Sequence, residues 1–262
     1  MDTDYQTIIV SPEGAVVTAT LNRPEKKNAI NSAMWNDLTN LVQEVDRNPA
    51  YRVLVLKGAG GAFSSGADLT SGPDGGPPTH PLFVMDRIHA VALALHQLSK
   101  PAIAWVDGDA IGAGCNLALG CDMVFATPRS RFGEIFVRRG LSVDFGGSWI
   151  LPRLIGLHRA KLLCLTGDLI TAAEAASIGM INEVLEQDEL EVRVKALVDR
   201  LLAGAPLAQA LTKRLLNEGS VSTMAEALQA ESAAQSINSM ADDAREARMA
   251  FVEKREPRFS GR

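Results

Sequence analysis

Short strand patterns alternate with helical patterns up to about residue 130, and helical patterns dominate the remainder of the chain. Residues 5–10 and 15–21 are rich in Ile, Val and Thr and flank a Pro-Glu-Gly turn, which predicts a β-hairpin. The order strand, strand, helix recurs about three times before the mostly helical part begins. This arrangement predicts one α/β core, residues 1–195, followed by a helical C-terminal region, residues 196–262.

Individual elements follow from local periodicity and from turn residues. Apolar positions from Trp35 to Val45 recur at helical spacing, and Ser32 is the predicted cap of that helix. The Ala-rich stretch 223–252 predicts one long helix, and the Gly- and Pro-rich stretch 71–81 predicts a mobile surface loop. The other predictions are strands at 52–56, 102–106 and 122–126, helices at 82–98 and around 190–201, and a short helix from about Ala113.

Composition places the chain among ordinary globular proteins. Its 262 residues are 47% hydrophobic and 22% charged, which excludes collagen-like, coiled-coil and mostly disordered classes. The formal net charge of −5 argues against a protein that neutralises nucleic-acid phosphates. Three cysteines without a CxxC pair predict reduced thiols in the core, and the sequence shows neither a signal-peptide pattern nor a membrane-spanning run. We therefore expect a soluble, cytoplasmic protein that binds neither nucleic acid nor membranes.

Six segments of the chain form a recognisable pattern in collinear order. They are NRPEKKNAI (22–30), AFSSGADL (62–69), AIGAGCNLALGCDMVFA (110–126), RFGEIFVRRGLSVDFGGSWILPRLIG (131–156), LTGDLITAAEAASIGMINEVL (165–185) and FVEKREPRF (251–259). Together they resemble the enoyl-CoA hydratase/isomerase family, also called the crotonase family. The resemblance implies an α/β fold, a crotonase-like spiral of ββα repeats with a helical C-terminal trimerisation region, and hence a homotrimer or hexamer. It also implies an acyl-CoA thioester substrate and an enolate-like intermediate held in an oxyanion hole.

Two glycine-containing turns are the predicted oxyanion hole. A thioester enolate develops negative charge on one oxygen, and two fixed backbone N–H groups aimed at that oxygen stabilise it. Gly66 precedes Ala67, and Gly112-Ala113-Gly114 opens a predicted helix, whose N-terminus carries unpaired N–H groups. The resemblance implies that the N–H groups of Ala67 and Ala113 are the two donors.

Basic residues near these turns are the predicted CoA contacts. CoA carries a diphosphate and a 3′-phosphate, for which Lys26 and Lys27 are the candidate ligands. CoA belongs to the substrate, so we expect neither a separate cofactor nor a metal. Asp68 is predicted to stabilise the first turn as an Asx residue. The other substrate-binding candidates that the resemblance implies are Ala29, Ser65, Gly66, Leu69, Gly112, Asn116 and Phe136.

The acid–base positions depart from the hydratase pattern. Hydratases of the family use two glutamates to activate water, and Asn116 and Phe136 stand at those positions here. Double-bond isomerases of the family carry an Asp in a setting similar to that of Asp144, and one carboxylate is enough for a 1,3 proton shift. We therefore predict Asp144 as the base, because its apolar neighbours should raise its pKa. Glu134 is the second catalytic candidate, and otherwise a residue that starts a helix.

Three other functions stay open at this stage. The first is a hydratase with unusual acid–base residues, and the second is a dehalogenase-like hydrolase. Phe136 disfavours the second, because that branch has a tryptophan at this position. The third is a non-catalytic protein that binds acyl-CoA. The lysine-rich helix of an RNA-binding branch has no counterpart in residues 32–47, which are mostly acidic in their charges.

Overall fold

The strands form two sheets in a computed structural model that describes residues 4–70 and 81–262. The strands are β1 (Ile8–Glu13), β2 (Val16–Leu21), β3 (Val53–Gly58), β4 (Ala102–Val106), β5 (Asp109–Ile111), β6 (Met123–Ala126), β7 (Arg131–Gly133), β8 (Leu169–Thr171) and β9 (Glu183–Val184). The helices are α1 (Ser32–Arg47), α2 (Pro81–Gln97), α3 (Ala113–Leu119), α4 (Gly147–Ile155), α5 (Leu157–Thr166), α6 (Ala172–Ser177), α7 (Gln187–Ala203), α8 (Pro206–Gly219), α9 (Met224–Met240) and α10 (Asp242–Glu253). Two 3-10 helices span Pro24–Lys26 and Ile135–Arg139.

The larger sheet has the strand order β1-β2-β3-β4-β6-β9. β1 and β2 pair antiparallel as the predicted hairpin, and each later pair is parallel. Parallel neighbours need a crossover, which α1 supplies between β2 and β3 and α2 between β3 and β4. Side chains such as Leu38 and Leu41 of α1 are buried in the main core, while Leu190 and Val194 of α7 pack in a second cluster with Val53 of β3. The sheet is therefore covered on both faces, as parallel sheets are.

The smaller sheet has the order β5-β7-β8, with β5 and β7 parallel and β7 and β8 antiparallel. β5 leads into α3 through Gly112, and β7 leads into the second 3-10 helix through Glu134. The carboxyl ends of these two strands therefore bring Gly112 and Glu134 to the same edge.

Most predicted elements in the first half are confirmed within a few residues, including the short helix after Gly112. The predicted cap at Ser32 is wrong, because Asn31 is the N-cap and its side chain accepts a hydrogen bond from the Met34 amide at 3.0 Å. The loop predicted at 71–81 lies, up to residue 80, outside the described residues, and Pro81 begins α2.

The helical end of the chain differs from the prediction of one long helix. α9 ends at Met240 and α10 begins at Asp242, because Ala241 adopts an extended backbone with ψ 149°. α8 is tied to the sheet by Lys213, whose ammonium donates to the Asp122 carboxylate at 2.8 Å and to the Lys100 carbonyl at 3.0 Å. α7 runs across the division predicted at residue 195, which stays a prediction.

The cysteines and the lengths of the helices bear on two further expectations. The three cysteines are free thiols, as predicted. Cys115 and Cys121 lie in the core, whereas Cys164, also predicted as a core residue, is only half-buried. Among residues 4–70 and 81–262, no helix combines the length and the apolar character needed to cross a bilayer.

Candidate active site

Two buried polar side chains shape the loop that carries Ala67. Asn28 has a left-handed backbone (φ 53°), and its amide donates to the carbonyls of Ala59 and Ala62, each at 2.8 Å. The Ser64 hydroxyl donates to the Asn28 carbonyl at 2.8 Å. These bonds fasten the loop after β2 to the loop after β3, so that the position of Ala67 depends on both.

The backbone N–H of Ala67 points away from Ile30, the residue that pairs with it. Ile30 donates to the Gly66 carbonyl at 2.8 Å and accepts from the Asp68 amide at 2.9 Å, which is the pattern of a parallel bridge. In such a bridge the intervening N–H points to the opposite side. Within the described part of the chain, the Ala67 amide donates no hydrogen bond.

The second amide belongs to Ala113, the first residue of α3. Gly112 turns the chain into the helix with φ 56°, and its amide donates to the Gly133 carbonyl at 2.8 Å. The first amides of a helix have no intrahelical acceptor, and they carry the positive end of the helix dipole. Among the described residues, no acceptor is bonded to the Ala113 amide.

The two turns approach each other closely at Gly66. This residue has φ 91°, and a Cβ placed on it would lie 3.5 Å from the Ala113 nitrogen and 2.7 Å from the Ile111 carbonyl oxygen. Any side chain at position 66 would therefore enter the space beside the Ala113 amide. The structure therefore brings the turn that carries Ala67 next to the Ala113 amide.

One helical turn after Ala113, the Asn116 amide links Glu134 and Asp144 into a polar cluster. Asn116 Nδ2 donates to Glu134 Oε2 at 3.2 Å and to the backbone oxygen of Asp144 at 3.0 Å. Asn116 and Glu134 are fully buried, and Asp144 is half-buried. The structure thus joins three residues that the sequence predicts for the site.

Both carboxyl groups of this cluster resist ionisation. Burial raises the pKa of Glu134 to about 7, against the opposing effect of hydrogen bonds from Cys115 and Asn116, and the Asp144 charge adds to the increase. Burial likewise raises the pKa of Asp144 to about 6, and the nearby His89 counteracts part of that increase. A carboxyl group with a pKa near neutrality can both take and return a proton.

The alternative reading of Glu134, as a residue that starts a helix, is only half right. It occupies the N-cap position of the second 3-10 helix, but its side chain makes no capping bond and turns to Asn116 instead. Phe136 is buried in the same 3-10 helix, and its ring lies 3.7 Å from the position that a Cβ on Gly112 would take. Phe136 therefore closes the site with an apolar wall.

The predicted CoA-binding residues surround the outer side of the Ala67 loop. Lys26 and Lys27 are exposed, and their carbonyls accept hydrogen bonds from the Ser65 hydroxyl (3.2 Å) and amide (2.9 Å). Leu69 is 64% exposed at the outer end of this loop. The backbone of both lysines is thus held beside the loop that carries Ala67, and both residues are exposed to solvent.

Asp68 forms the predicted Asx turn and also an ion pair. Its Oδ1 accepts from the Thr70 amide at 3.0 Å, and its Oδ2 lies 2.9 Å from the Arg23 guanidinium. Arg23 also donates to the carbonyl of Ala29, which is buried. The motifs do not reveal the roles of Asn28 and Ser64 in this loop. The one local signal is that Asn28 is a residue type that tolerates the left-handed backbone found there.

A separate apolar cavity of about 1060 Å³ lies at the other end of α3. Its walls include Leu119, Trp149 and Leu216, and the turn after Asp144 contributes Phe145. α3 separates this cavity from the Ala113 amide by about 10 Å, the length of seven helical residues. Within residues 4–70 and 81–262, no three His, Cys, Asp or Glu side chains are grouped as metal ligands.

The comparison with known proteins decides the family. The family model described as enoyl-CoA hydratase/isomerase matches residues 11–262. The chain belongs to the enoyl-CoA hydratase/isomerase family. The sequence resemblance and the expected α/β architecture are thereby confirmed.

Relatives within the enoyl-CoA hydratase/isomerase family carry different reaction names. The chain is 35% identical to a 1,2-epoxyphenylacetyl-CoA isomerase from Escherichia coli K12, over 97% of this chain and 98% of the relative. It is 34% identical to a short-chain-enoyl-CoA hydratase from Clostridium acetobutylicum, with 96% and 97% covered. A crystal structure of an enoyl-CoA hydratase from Bacillus anthracis superposes with a TM-score of 0.92 at 31% identity, covering 98% of this chain and 100% of that one.

Proposed function

We propose that the protein is an acyl-CoA enzyme that stabilises a thioester enolate and shifts a double bond by proton transfer through Asp144. The observation that carries this proposal is that Asn116, one turn into α3 from the unpartnered Ala113 amide, bonds to the backbone of Asp144, whose carboxyl has a pKa raised by burial to about 6. The family resemblance supplies the substrate class. Asn116 and Phe136, which cannot accept a proton, favour isomerisation over hydration.

The reaction proceeds in two steps. Asp144 takes a proton from the α carbon of a 3-enoyl thioester, and the electron pair of that C–H bond forms a double bond to the thioester carbon. The π pair of the C=O bond moves onto the oxygen, which lies between the amides of Ala67 and Ala113. The protonated Asp144 then returns its proton to the carbon at the other end of the allylic system, and the charge leaves the oxygen. One proton and one carboxyl group suffice, so the step needs no metal or separate cofactor.

The surroundings of the site support acyl-CoA as the substrate. Lys26 and Lys27 can contact the CoA phosphates from the mouth of the site.

The chain also leaves large apolar side chains exposed on the C-terminal helices, among them Met240 (87%) and Phe251 (86%). Such surfaces are typical of interfaces, so we propose that the protein assembles as a homotrimer or hexamer, which sedimentation equilibrium will measure.

The direct test is isomerisation of a 3-enoyl-CoA to the conjugated 2-enoyl-CoA, followed by the absorbance of the product. We expect turnover by the wild type and a loss of about 10²–10⁴ in rate for Asp144→Asn. Asp37→Asn is a matched control, because Asp37 is a buried carboxyl on α1 bonded to Thr7, outside the site. Equal rates for the wild type and Asp144→Asn would contradict the proposal.

Hydration of a 2-enoyl-CoA is the second candidate. Hydration divides its proton transfers between two groups, and the structure holds two acidic residues beside one amide. Asn116 donates to the Glu134 carboxylate and to the backbone carbonyl of Asp144. The assay is loss of crotonyl-CoA absorbance. Efficient hydration with no isomerisation would replace the first candidate by the second.

A further inference from the structure

Three buried oxygen atoms of the acid cluster have no hydrogen-bond partner. They are Asn116 Oδ1, Glu134 Oε1 and Asp144 Oδ1, each shielded from solvent. Buried polar atoms are normally paired, and a cluster left incomplete in a fold has a reason. No other buried side-chain oxygen or nitrogen in the described residues is without a partner. The exception is therefore confined to the three residues at the candidate site.

The Asn116 amide is fixed in its orientation. Its Nδ2 bonds to Glu134 Oε2 and to the Asp144 backbone, and the amide also lies against Gly147. A Cβ on Gly147 would lie 2.5 Å from Asn116 Nδ2 and 2.7 Å from Oδ1. Because the amide fits directly on a glycine backbone, it cannot move toward α4 without a collision.

Through its two hydrogen bonds, the Asn116 amide connects the Glu134 side chain to the backbone of Asp144. Glu134 follows Gly133, whose carbonyl accepts from the Gly112 amide at the turn that carries Ala113. Asn116 reaches from α3 to the carbonyl of Asp144 itself, just ahead of α4. A single amide therefore sets the distance between the Ala113 turn and the backbone of the proposed base.

We propose that Asn116 and Glu134 are positioning residues, in which Glu134 orients the Asn116 amide and Asn116 clamps the backbone of Asp144 relative to the Ala113 amide. This inference rests on the proposed function. It gives Asn116 a role of its own at a position where the hydratase pattern has a glutamate. Glu134 is fully buried and acts through Asn116, so it is not a group that touches substrate.

The proposal predicts how substitutions combine. Displacing a catalytic group by about 1 Å can cost about 10²-fold in rate. We therefore expect Asn116→Ala to lower kcat about 10²-fold and to leave the KM for acyl-CoA nearly unchanged. Glu134→Gln keeps an acceptor for Asn116 Nδ2 and should retain most of the rate, whereas Glu134→Leu should behave like Asn116→Ala.

The deciding experiment is a double-mutant cycle between Asn116 and Asp144. If Asn116 acts through Asp144, then Asn116→Ala should cause no further loss in the Asp144→Asn background. An equal loss in both backgrounds would overturn the proposal, as would equal rates for Glu134→Gln and Glu134→Leu. Asp37→Asn serves again as the control for altering a buried polar side chain outside the site.

A second measurement separates this proposal from the proposed function. If the wild type turns over no acyl-CoA, the proposed function fails, and the titration of the Asp144 carboxyl carbon by NMR still tests the clamp. The ionisable groups in this part of the fold are His89 of α2, Cys115 of α3, Cys164 of α5 and Glu134. Asn116→Ala removes a hydrogen bond from Glu134, which is coupled to Asp144, so the titration is compared in the Glu134→Gln background, where that carboxyl is absent. A shifted Asp144 titration on adding Asn116→Ala there supports the clamp, and an unchanged titration overturns it.

Discussion

Replacing Glu134 with Gln should change how stability depends on pH. In the folded protein the pKa of Glu134 rises from its ordinary 4.5 to about 7, chiefly because of burial. Between these values the folded state keeps a proton that the unfolded state has released, so the free energy of unfolding falls as the pH rises. One pH unit corresponds to about 1.4 kcal/mol, which makes the total loss about 3 kcal/mol by pH 8.

Gln cannot ionise, so the Glu134→Gln variant should lack this loss. Its stability relative to the wild type should therefore increase by about 3 kcal/mol between pH 4 and pH 8. At about 2–4 °C per kcal/mol for a chain of this size, the difference in Tm between the two proteins should change by roughly 6–12 °C. Urea unfolding at each pH, monitored by circular dichroism, gives the free energies directly.

Asp144→Asn provides the matched comparison. The Asp144 charge contributes to the raised pKa of Glu134, so removing it should move the fall in stability to lower pH. Parallel pH profiles for the wild type and Glu134→Gln from pH 4 to pH 8 would refute the reasoning, because they would mean that Glu134 ionises in the folded protein as it does in the unfolded chain.

Three further predictions follow from the same geometry. Gly66→Ala should lower the rate by about 10²–10³ and destabilise the fold, because the added Cβ crowds the Ile111 carbonyl and the space beside the Ala113 amide. Steady-state kinetics and urea unfolding will measure the two effects. An unchanged rate would exclude an oxyanion beside the Ala113 amide. The double variant Lys26→Ala, Lys27→Ala should bind acetoacetyl-CoA more weakly, and calorimetry should show that its affinity depends less on salt. The reason is that salt screens the attraction between exposed ammonium groups and phosphates. An unchanged salt dependence would mean that the CoA phosphates bind elsewhere. Crotonyl-CoA hydration should be slow or absent in the wild type, and turnover at hundreds per second would contradict the significance given to Asn116 and Phe136.

The sequence predicts the fold best where patterns are long or glycines are specific. The hairpin, α1 and the turn at Gly112 have strong local signals, and the structure places them as expected. The strands of the smaller sheet have three residues each, too few for an alternation to be visible. No Gly or Pro marks the break at Ala241 in the sequence. The Asp243 carboxylate, just after the break, accepts hydrogen bonds from the amides of Ser260 and Gly261, which are 17 and 18 residues further along the chain.

The candidate site divides in a similar way. The positions of Ala67, Ala113 and Asp144 follow from motifs, and the structure brings them into one region. The hydrogen bond between Glu134 and Asn116 could not be predicted from the sequence. Glu134 lies two residues before Phe136, the position of the second hydratase glutamate, and the sequence does not give the direction of its side chain.

Hydrogen exchange at the substrate carbons tests the central claim most directly. The wild type and Asp144→Asn are each incubated with an enoyl-CoA in deuterated water, and NMR follows the protons at the α and γ carbons. We predict that the wild type exchanges these protons and that Asp144→Asn does so about 10²–10⁴ times more slowly, while its binding of acyl-CoA changes little. Equal exchange in the two proteins would show that Asp144 is not the base.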